Sequence, residues 1–474
     1  MSPGTVPSYT RPLALLAILF FMWGFLTSMN DILIPYLREA FKLNDFQSML
    51  VQLCFFGGYF VGALIYFVVS ATRGDPIARI GHQRSIVAGL LITGMGAFLF
   101  YPAAGYVSYG FFLSAYFVLG FGLALVQTAA NPYVAILGSE RTASSRLNLS
   151  QGFNSLGTVL GPLIGGYLIF ELFAGGVASA PQVPYLAFGG ALVLLAILFS
   201  CVSLPRIGQT DRIERGMAAF GYPQLAFGII AIFLYVGAEV SIGSILIRFF
   251  KLPEIAGLTK QEGSAYLAIY WGGLMIGRFL GAVSLSRVAT AKKLATMLGI
   301  PIVGFLLLAL ALDIRPSKLE GAGDIAYTEA LSLMLPYAGF LILSLGAFLV
   351  GRALPGRTTA VFAIGAVALL GVALVSGGKT AMWCVIAVGL CNSVMWSNIF
   401  ALAIQGLGRH QSQGSSLLVM AIFGGAIIPP LQGQASDMVG DAGPHLSMWV
   451  PALAYVYIAW YGAKGHALRR ENPS

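Results

Sequence analysis

Two carboxylates stand where an ionised side chain is expensive. Asp31 lies in MNDILIP, inside the first long apolar segment, and Glu239 lies in YVGAEVSIGS, inside a later one. An ionised side chain at mid-membrane costs about 2.5–3.5 kcal/mol on insertion scales, so such residues mark ion or solute pathways by default. A carboxylate there can take a proton or coordinate a cation, which makes Asp31 and Glu239 candidate ion-coupling residues. The alternative is a structural hydrogen bond or a pair with Arg278. Glu39 and Asp45 flank a segment end and read as solvated.

Amides form a second layer. Gln127 and Asn131 are four residues apart and share a helical face. Gln151 and Asn154 are three apart, with Asn148 extending the stripe, and Asn392 and Trp396 repeat the pattern late in the chain. An amide donates and accepts at once, which suits a sugar hydroxyl. A Trp face offers a platform for the C–H side of a pyranose ring. Gln127, Asn131, Gln151, Asn154, Glu239, Asn392 and Trp396 are therefore the candidate solute-binding set. The competing reading is that membrane amides bond neighbouring helices, and Asn131, just before Pro132, is placed to cap a kink. Arg278, in IGRFLGA, is the gating candidate. It can pair with an acid or with helix-end carbonyls, or snorkel to the interface. The loop GDPIARIGHQR carries a charge cluster that either braces one transport state or simply marks topology.

Other chemistry finds no residues to do it. His82, His410, His445 and His466 fall in loops or near the C-terminus, none at a metal-ligand spacing such as HExxH. Cys54, Cys201, Cys384 and Cys391 lie in apolar segments without paired spacing. No enzyme activity, metal site or cofactor is expected, and no charged ring or filter sequence suggests a channel.

The elements that must position these residues follow from composition. Only 9% of the 474 residues are charged and 58% are hydrophobic, against about 25% charged in a soluble domain. Lipid must be the main solvent. The net charge of +9 sits in short loops between apolar runs, a mark of cytoplasmic ends rather than of nucleic-acid binding. The first apolar run, from Leu13 through Asp31, is too long for a signal-peptide core and reads as a retained membrane segment.

A spanning helix needs about 20 mostly apolar residues. Segments of that kind fall at about 12–40, 46–72, 84–103, 108–137, 143–171 and 183–205, then, after a polar linker at 206–222, at about 223–250, 262–288, 293–312, 328–351, 357–376, 381–406, 413–437 and 446–464. With both termini cytoplasmic, 18 of the 27 Lys and Arg fall on the inner side and 8 outside, which supports that orientation.

An internal repeat organises the segments. Gly57, Gly58 and Gly62 recur as Gly272, Gly273 and Gly277, an offset of 215, whereas Asn131, Gly157 and Pro162 recur as Asn398, Gly424 and Pro429, an offset of 267. The growing offset implies two similar halves with about two helices inserted in the second. The expected fold is an all-α membrane protein of about 14 transmembrane helices: a six-helix bundle at 1–205, a cytoplasmic linker at 206–222, and a second bundle at 223–474 that holds an inserted pair within about 313–376. Asp31 and Glu239 occupy equivalent first segments of the two halves, so the duplication predicts that both acids face a shared central chamber. Repeat-built transporters bind solute near the midplane.

The stretches NDILIP (30–35), QTAANPYV (127–134), LNLSQGFNSLG (147–157), YVGAEVSIGS (235–244), NSVMWSNIFALAI (392–404) and QGSSLLVMAIFGGAIIPPLQG (413–433) span nearly the whole chain. As a set they resemble the fucose permease and glucose/galactose permease branch of the major facilitator superfamily. The resemblance implies twelve core helices, alternating access and bacterial sugar–proton symport, with sodium as the coupling ion in some members. It implies that Asp31 falls at the protonatable first-helix aspartate of fucose permease, and Gln151 and Asn154 at its sugar-binding amides. Fucose permease has a glutamate where this chain has Gln127, and here Glu239 supplies a carboxylate from the seventh core helix. That departure favours a glucose- or galactose-like hexose over L-fucose, with H⁺ or Na⁺ as co-transported ion. The expected protein is thus a monomeric, multi-pass symporter of a bacterial inner membrane whose partners are a small sugar and the lipid bilayer. An amino sugar, a disaccharide or fucose is the alternative solute, and a membrane-embedded enzyme the remote alternative.

Overall fold

The structure is a computed structural model that describes residues 10–43, 45–173, 179–202, 204–205, 218–258, 260–286, 289–313 and 327–468. Residues 206–217 of the expected linker and 314–326 of the expected insertion lie outside the described residues. Among the described residues there are helices and turns and no strand. The chain divides into two compact units: unit 1 comprises Met1–Met217 and Gln405–Val419, and unit 2 comprises Ala218–Ile404 and Met420–Ser474.

Unit 1 holds α1 (Thr10–Phe41), α2 (Asp45–Arg73), the short α3 (Pro76–Ile80), α4 (His82–Phe98) continued by α5 (Phe100–Gly105), α6 (Tyr109–Ile136), α7 (Ala143–Gly166) and α8 (Gln182–Cys201). Unit 2 holds α9 (Pro223–Lys251), α10 (Lys260–Ser284), α11 (Thr290–Asp313), α12 (Tyr327–Leu333), α13 (Leu335–Gly351), α14 (Pro355–Val375), α15 (Gly378–Asn392) and α16 (Met395–Ile404). It continues with α17 (Gln411–Ala421), which begins in unit 1, then α18 (Gly424–Val439), α19 (Gly443–Leu446) and α20 (Trp449–Ala463). The apolar segments are helical because a backbone in lipid must satisfy its polar groups within its own segment. Proline opens α3, α9 and α14, where a missing N–H costs nothing.

Among the described residues, eleven helical stretches are long and apolar enough to cross a membrane, or twelve if α12 and α13, bent by 54° at their junction, form one span. Two of the fourteen segments expected from hydropathy are helices outside that count. The amide-rich α7 is long enough but too polar, and α20 has only 15 residues. Large apolar side chains remain exposed along the spans, for example Leu294, Leu298, Ile302 and Leu306, four apart on one stripe of α11. A soluble protein rarely leaves such a contiguous face uncovered.

Each unit repeats one packing plan. In unit 1, α1 lies on α7, α2 on α6, and α4 on both α6 and α8; in unit 2, α9 lies on α18, α10 on α15, and α14 on both α15 and α20. The glycine echo has a physical cause. A Cβ at Gly58 of α2 would strike the Phe117 carbonyl of α6, and one at Gly273 of α10 would crowd Leu390 of α15. Small residues there let helix backbones approach closely. By this plan α14, not α11, takes the place in unit 2 that α4 takes in unit 1. The contacts of α11 are instead with α10, α12 and α13.

Candidate functional site

The polar side chains singled out above fall into two groups, one in each unit. In unit 1 the centre is Tyr59 of α2. Its hydroxyl accepts from Gln127 Nε2 of α6 at 2.9 Å, and Trp23 and Thr27 of α1 also reach it. Gln127 Oε1 is buried without a hydrogen-bond partner among the described residues, so the amide keeps an unused acceptor. Asn154 of α7 donates from Nδ2 to the Phe20 carbonyl of α1 at 3.0 Å, which ties these parallel helices together and leaves Oδ1 for other work. Gln151 is buried one turn earlier on α7. Asn131 is buried with neither amide atom partnered among the described residues, and Asn30 of α1 is in the same position. Pro132 lies inside α6 directly after Asn131. Asp31 stands in α1, but its side chain lies outside the described residues.

The loop after α2 is also built rather than loose. Asp75 caps α3, accepting from the backbone N–H of Ile77 at 2.8 Å and of Ala78 at 3.3 Å. The same carboxylate takes the hydroxyl of Tyr66. Arg146, at the start of α7, donates to the carbonyls of Val134 at 2.9 Å and Ser139 at 3.1 Å and also to that of Ala135. It caps the end of α6, where carbonyls lack intrahelical donors.

In unit 2, Glu239 of α9 and Arg278 of α10 form an ion pair, Nη2 to Oε1 at 3.6 Å, with side chains only 12% and 10% exposed. Around it runs a chain of hydrogen bonds. Tyr270 donates to the Glu239 backbone carbonyl at 3.1 Å and accepts from Asn392 Nδ2 at 2.9 Å. Tyr455 of α20 donates to Asn392 Oδ1 at 2.6 Å, and Tyr235 of α9 donates to the Asn392 carbonyl at 3.1 Å. Asn392 thus has both ends of its amide engaged by protein. It also ends α15, three residues before α16 begins, within one stretch long enough to span. A helix broken at membrane depth frees carbonyls that need partners, and the Tyr235 hydroxyl meets that need at Asn392. Trp396 is buried in α16 and stacks on Phe400, ring centroids 5.1 Å apart at 15°, so one of its faces is covered by its own helix.

The structure therefore brings Gln127 together with Tyr59, Trp23 and Thr27, and Glu239 together with Arg278, Tyr270, Asn392 and Tyr455. Arg278 is buried beside an acid rather than extended towards the end of α10. The tyrosines and Trp23 escaped the sequence reading, because aromatic residues in apolar segments pass as core. A usable signal was present, since a buried Tyr hydroxyl nearly always needs a partner. Among the described residues no group of three or more His, Cys, Asp or Glu could hold a metal ion.

Known proteins resemble this chain over nearly its full length. The sequence profile described as Major Facilitator Superfamily matches residues 16–320. A glucose/galactose transporter of Brucella abortus is 38% identical over 465 residues, covering 97% of this chain and 95% of the relative. The L-fucose-proton symporter of Escherichia coli is 28% identical over 485 residues, covering 96% and 93%. A crystal structure of the E. coli fucose:proton symporter FucP superposes with a TM-score of 0.73 at 26% identity, covering 96% of this chain and 98% of that one.

Proposed function

The chain belongs to the Major Facilitator Superfamily, and on that premise we propose that it is a secondary transporter importing a glucose- or galactose-like hexose with a cation, H⁺ or Na⁺, by alternating access. Its family and relatives are sugar transporters, not enzymes. The observation that carries the reading is the burial of Glu239, Gln127, Asn131 and Asn392 inside helical stretches that are otherwise apolar enough to span a membrane. Such residues are tolerated in lipid when they face a wet, solute-sized space.

The roles follow from chemistry. Asp31 exchanges the cation. Gln127, Asn131, Gln151 and Asn154 offer amides to sugar hydroxyls, with the indole rings of Trp23 and Trp396 as apolar platforms. Glu239 adds a carboxylate acceptor, and Arg278 governs its charge. Asn392 orders the residues around Glu239, its amide being already engaged. L-fucose is the second reading, supported by the likeness to the fucose symporter and opposed by the amide Gln127 where fucose permease has a glutamate.

The membrane plan belongs to the same proposal: fourteen crossings of a bacterial inner membrane, both termini cytoplasmic, by a monomer with bundles at 1–205 and 223–474 joined by the linker at 206–222. The packing plan favours α11 with α12–α13, residues 290–351, as the surplus pair, earlier than the 313–376 expected from sequence. Uptake into proteoliposomes, across a panel of hexoses with pH and sodium gradients imposed independently, tests the function. Accumulation of glucose or galactose under one of the two gradients is expected. Uptake of fucose alone favours the second reading, and no gradient-driven uptake of any sugar rejects the proposal.

A further inference from the structure

We propose that Arg278 holds Glu239 as a fixed anion throughout the transport cycle, so that Glu239 serves the sugar as a hydroxyl acceptor while the exchangeable cation is carried elsewhere. This rests on the sugar-symport reading above. The two side chains are buried within membrane-spanning helices, 3.6 Å apart. A guanidinium keeps its charge at any physiological pH. A proton or metal cation arriving on Glu239 would therefore leave the Arg278 charge buried without this balance, which is the costly half of breaking a buried pair.

Among the described residues, the groups found around the Glu239 carboxylate include no second acid; Glu262, the other acid of α10, lies in that helix's first turn, sixteen residues before Arg278. From α10 come Arg278 and Tyr270, and from α20 Tyr455. From the end of α15 comes Asn392, whose amide is engaged; Cys391 precedes it in the chain. Tyr235 stands one turn earlier on α9, its hydroxyl hydrogen given to the Asn392 carbonyl. Other charged groups on elements packed against α9 stand at helix ends, Lys260 and Glu262 at the start of α10 and Lys379 at the start of α15, or have partners of their own. Asp437 of α18 pairs with Arg248 at an exposed position, His445 of α19 bonds the Ala373 carbonyl, and His466, beyond α20, bonds the Tyr461 carbonyl. Among these described neighbours the set is one anion, one cation, neutral hydroxyls, a thiol and an amide. A carboxylate already charged and held by one oxygen is a strong acceptor for a sugar O–H.

The test compares three reconstituted proteins: the parent, Arg278→Gln, and the neutral pair Glu239→Gln with Arg278→Gln. The neutral pair should raise the KM for hexose roughly tenfold, as expected when a charged acceptor is lost, yet keep the parent's cation-to-sugar ratio measured from reversal potentials. Arg278→Gln alone should gain a second pH- or sodium-dependent transition beyond that of the parent's coupling cation, because its Glu239 is no longer balanced. A neutral pair that equilibrates hexose without accumulating it, while the parent accumulates, overturns the inference. A parent that moves no hexose overturns the transport reading itself, and this inference with it. Infrared difference spectra give a readout independent of the double variant's folding. Any protonated-carboxyl band seen on acidifying the parent should survive Arg278-intact Glu239→Gln. A band that Glu239→Gln removes and Asp31→Asn leaves in place overturns the inference.

Discussion

Replacing Asn392 with Leu keeps the γ-branched outline of the side chain, with bulkier methyl groups, and removes two hydrogen bonds from the middle of unit 2. Tyr455 then loses its acceptor, a 2.6 Å contact, and Tyr270 loses its incoming donor, a 2.9 Å contact, while Tyr270 keeps its own bond to the Glu239 carbonyl. A buried hydroxyl stripped of its partner costs about 1–3 kcal/mol. The bond lost at Tyr270 adds less, about 0.6 kcal/mol by the average for interhelical bonds in membranes. A destabilisation of about 2–3 kcal/mol is therefore expected. Tyr455→Phe, which deletes only one hydroxyl, should cost about 1 kcal/mol. The double variant should fall short of the sum, with a coupling energy of about 0.6–1.7 kcal/mol, the range measured for such pairs. Reversible unfolding in mixed micelles, followed by tryptophan fluorescence, measures all four corners of the cycle. Strict additivity, or an Asn392→Leu variant as stable as the parent, would refute the claim that this amide is a structural clasp rather than a free solute ligand.

Other expectations concern single residues. Asp31→Asn should lose gradient-driven accumulation in proteoliposomes and retain sugar exchange; equal accumulation by variant and parent would remove Asp31 from coupling. Gly157→Val places a Cβ against the Phe21 carbonyl where α7 meets α1, and overpacking of this kind costs about 1–3 kcal/mol, to be read as a lower melting temperature; an unchanged value contradicts the close approach. Arg146→Ala removes the donors that close the end of α6, at a cost of about 1–2 kcal/mol in the same unfolding assay, and Lys should not restore it, since one ammonium cannot copy the guanidinium fork. Asp75→Ala should destabilise by about 0.5–2 kcal/mol through loss of the α3 cap, with amide exchange at Ile77 and Ala78 accelerating first.

The membrane character of this chain, its helices and its duplicated halves were legible in the residues because each depends on local chemistry. Transfer of a segment into lipid is decided by some twenty neighbouring side chains, and the repeat of Gly58 as Gly273 records the same close approach made twice. Glu239 stood out in the sequence because an acid inside an apolar segment is costly. Partnership was not legible. Glu239 meets Arg278 across two helices, and Asn392 meets residues 122 positions before it and 63 after it. Hydropathy cannot distinguish an amide that waits for a solute from one already satisfied by tyrosines. It also cannot tell which of several equally apolar helices join the repeated packing plan, since α11 and α14 differ in what they pack against rather than in how well they dissolve in lipid. Solvent preference is a property of each segment by itself, whereas a hydrogen bond or an ion pair exists only once the chain has brought distant segments within a few ångströms of one another.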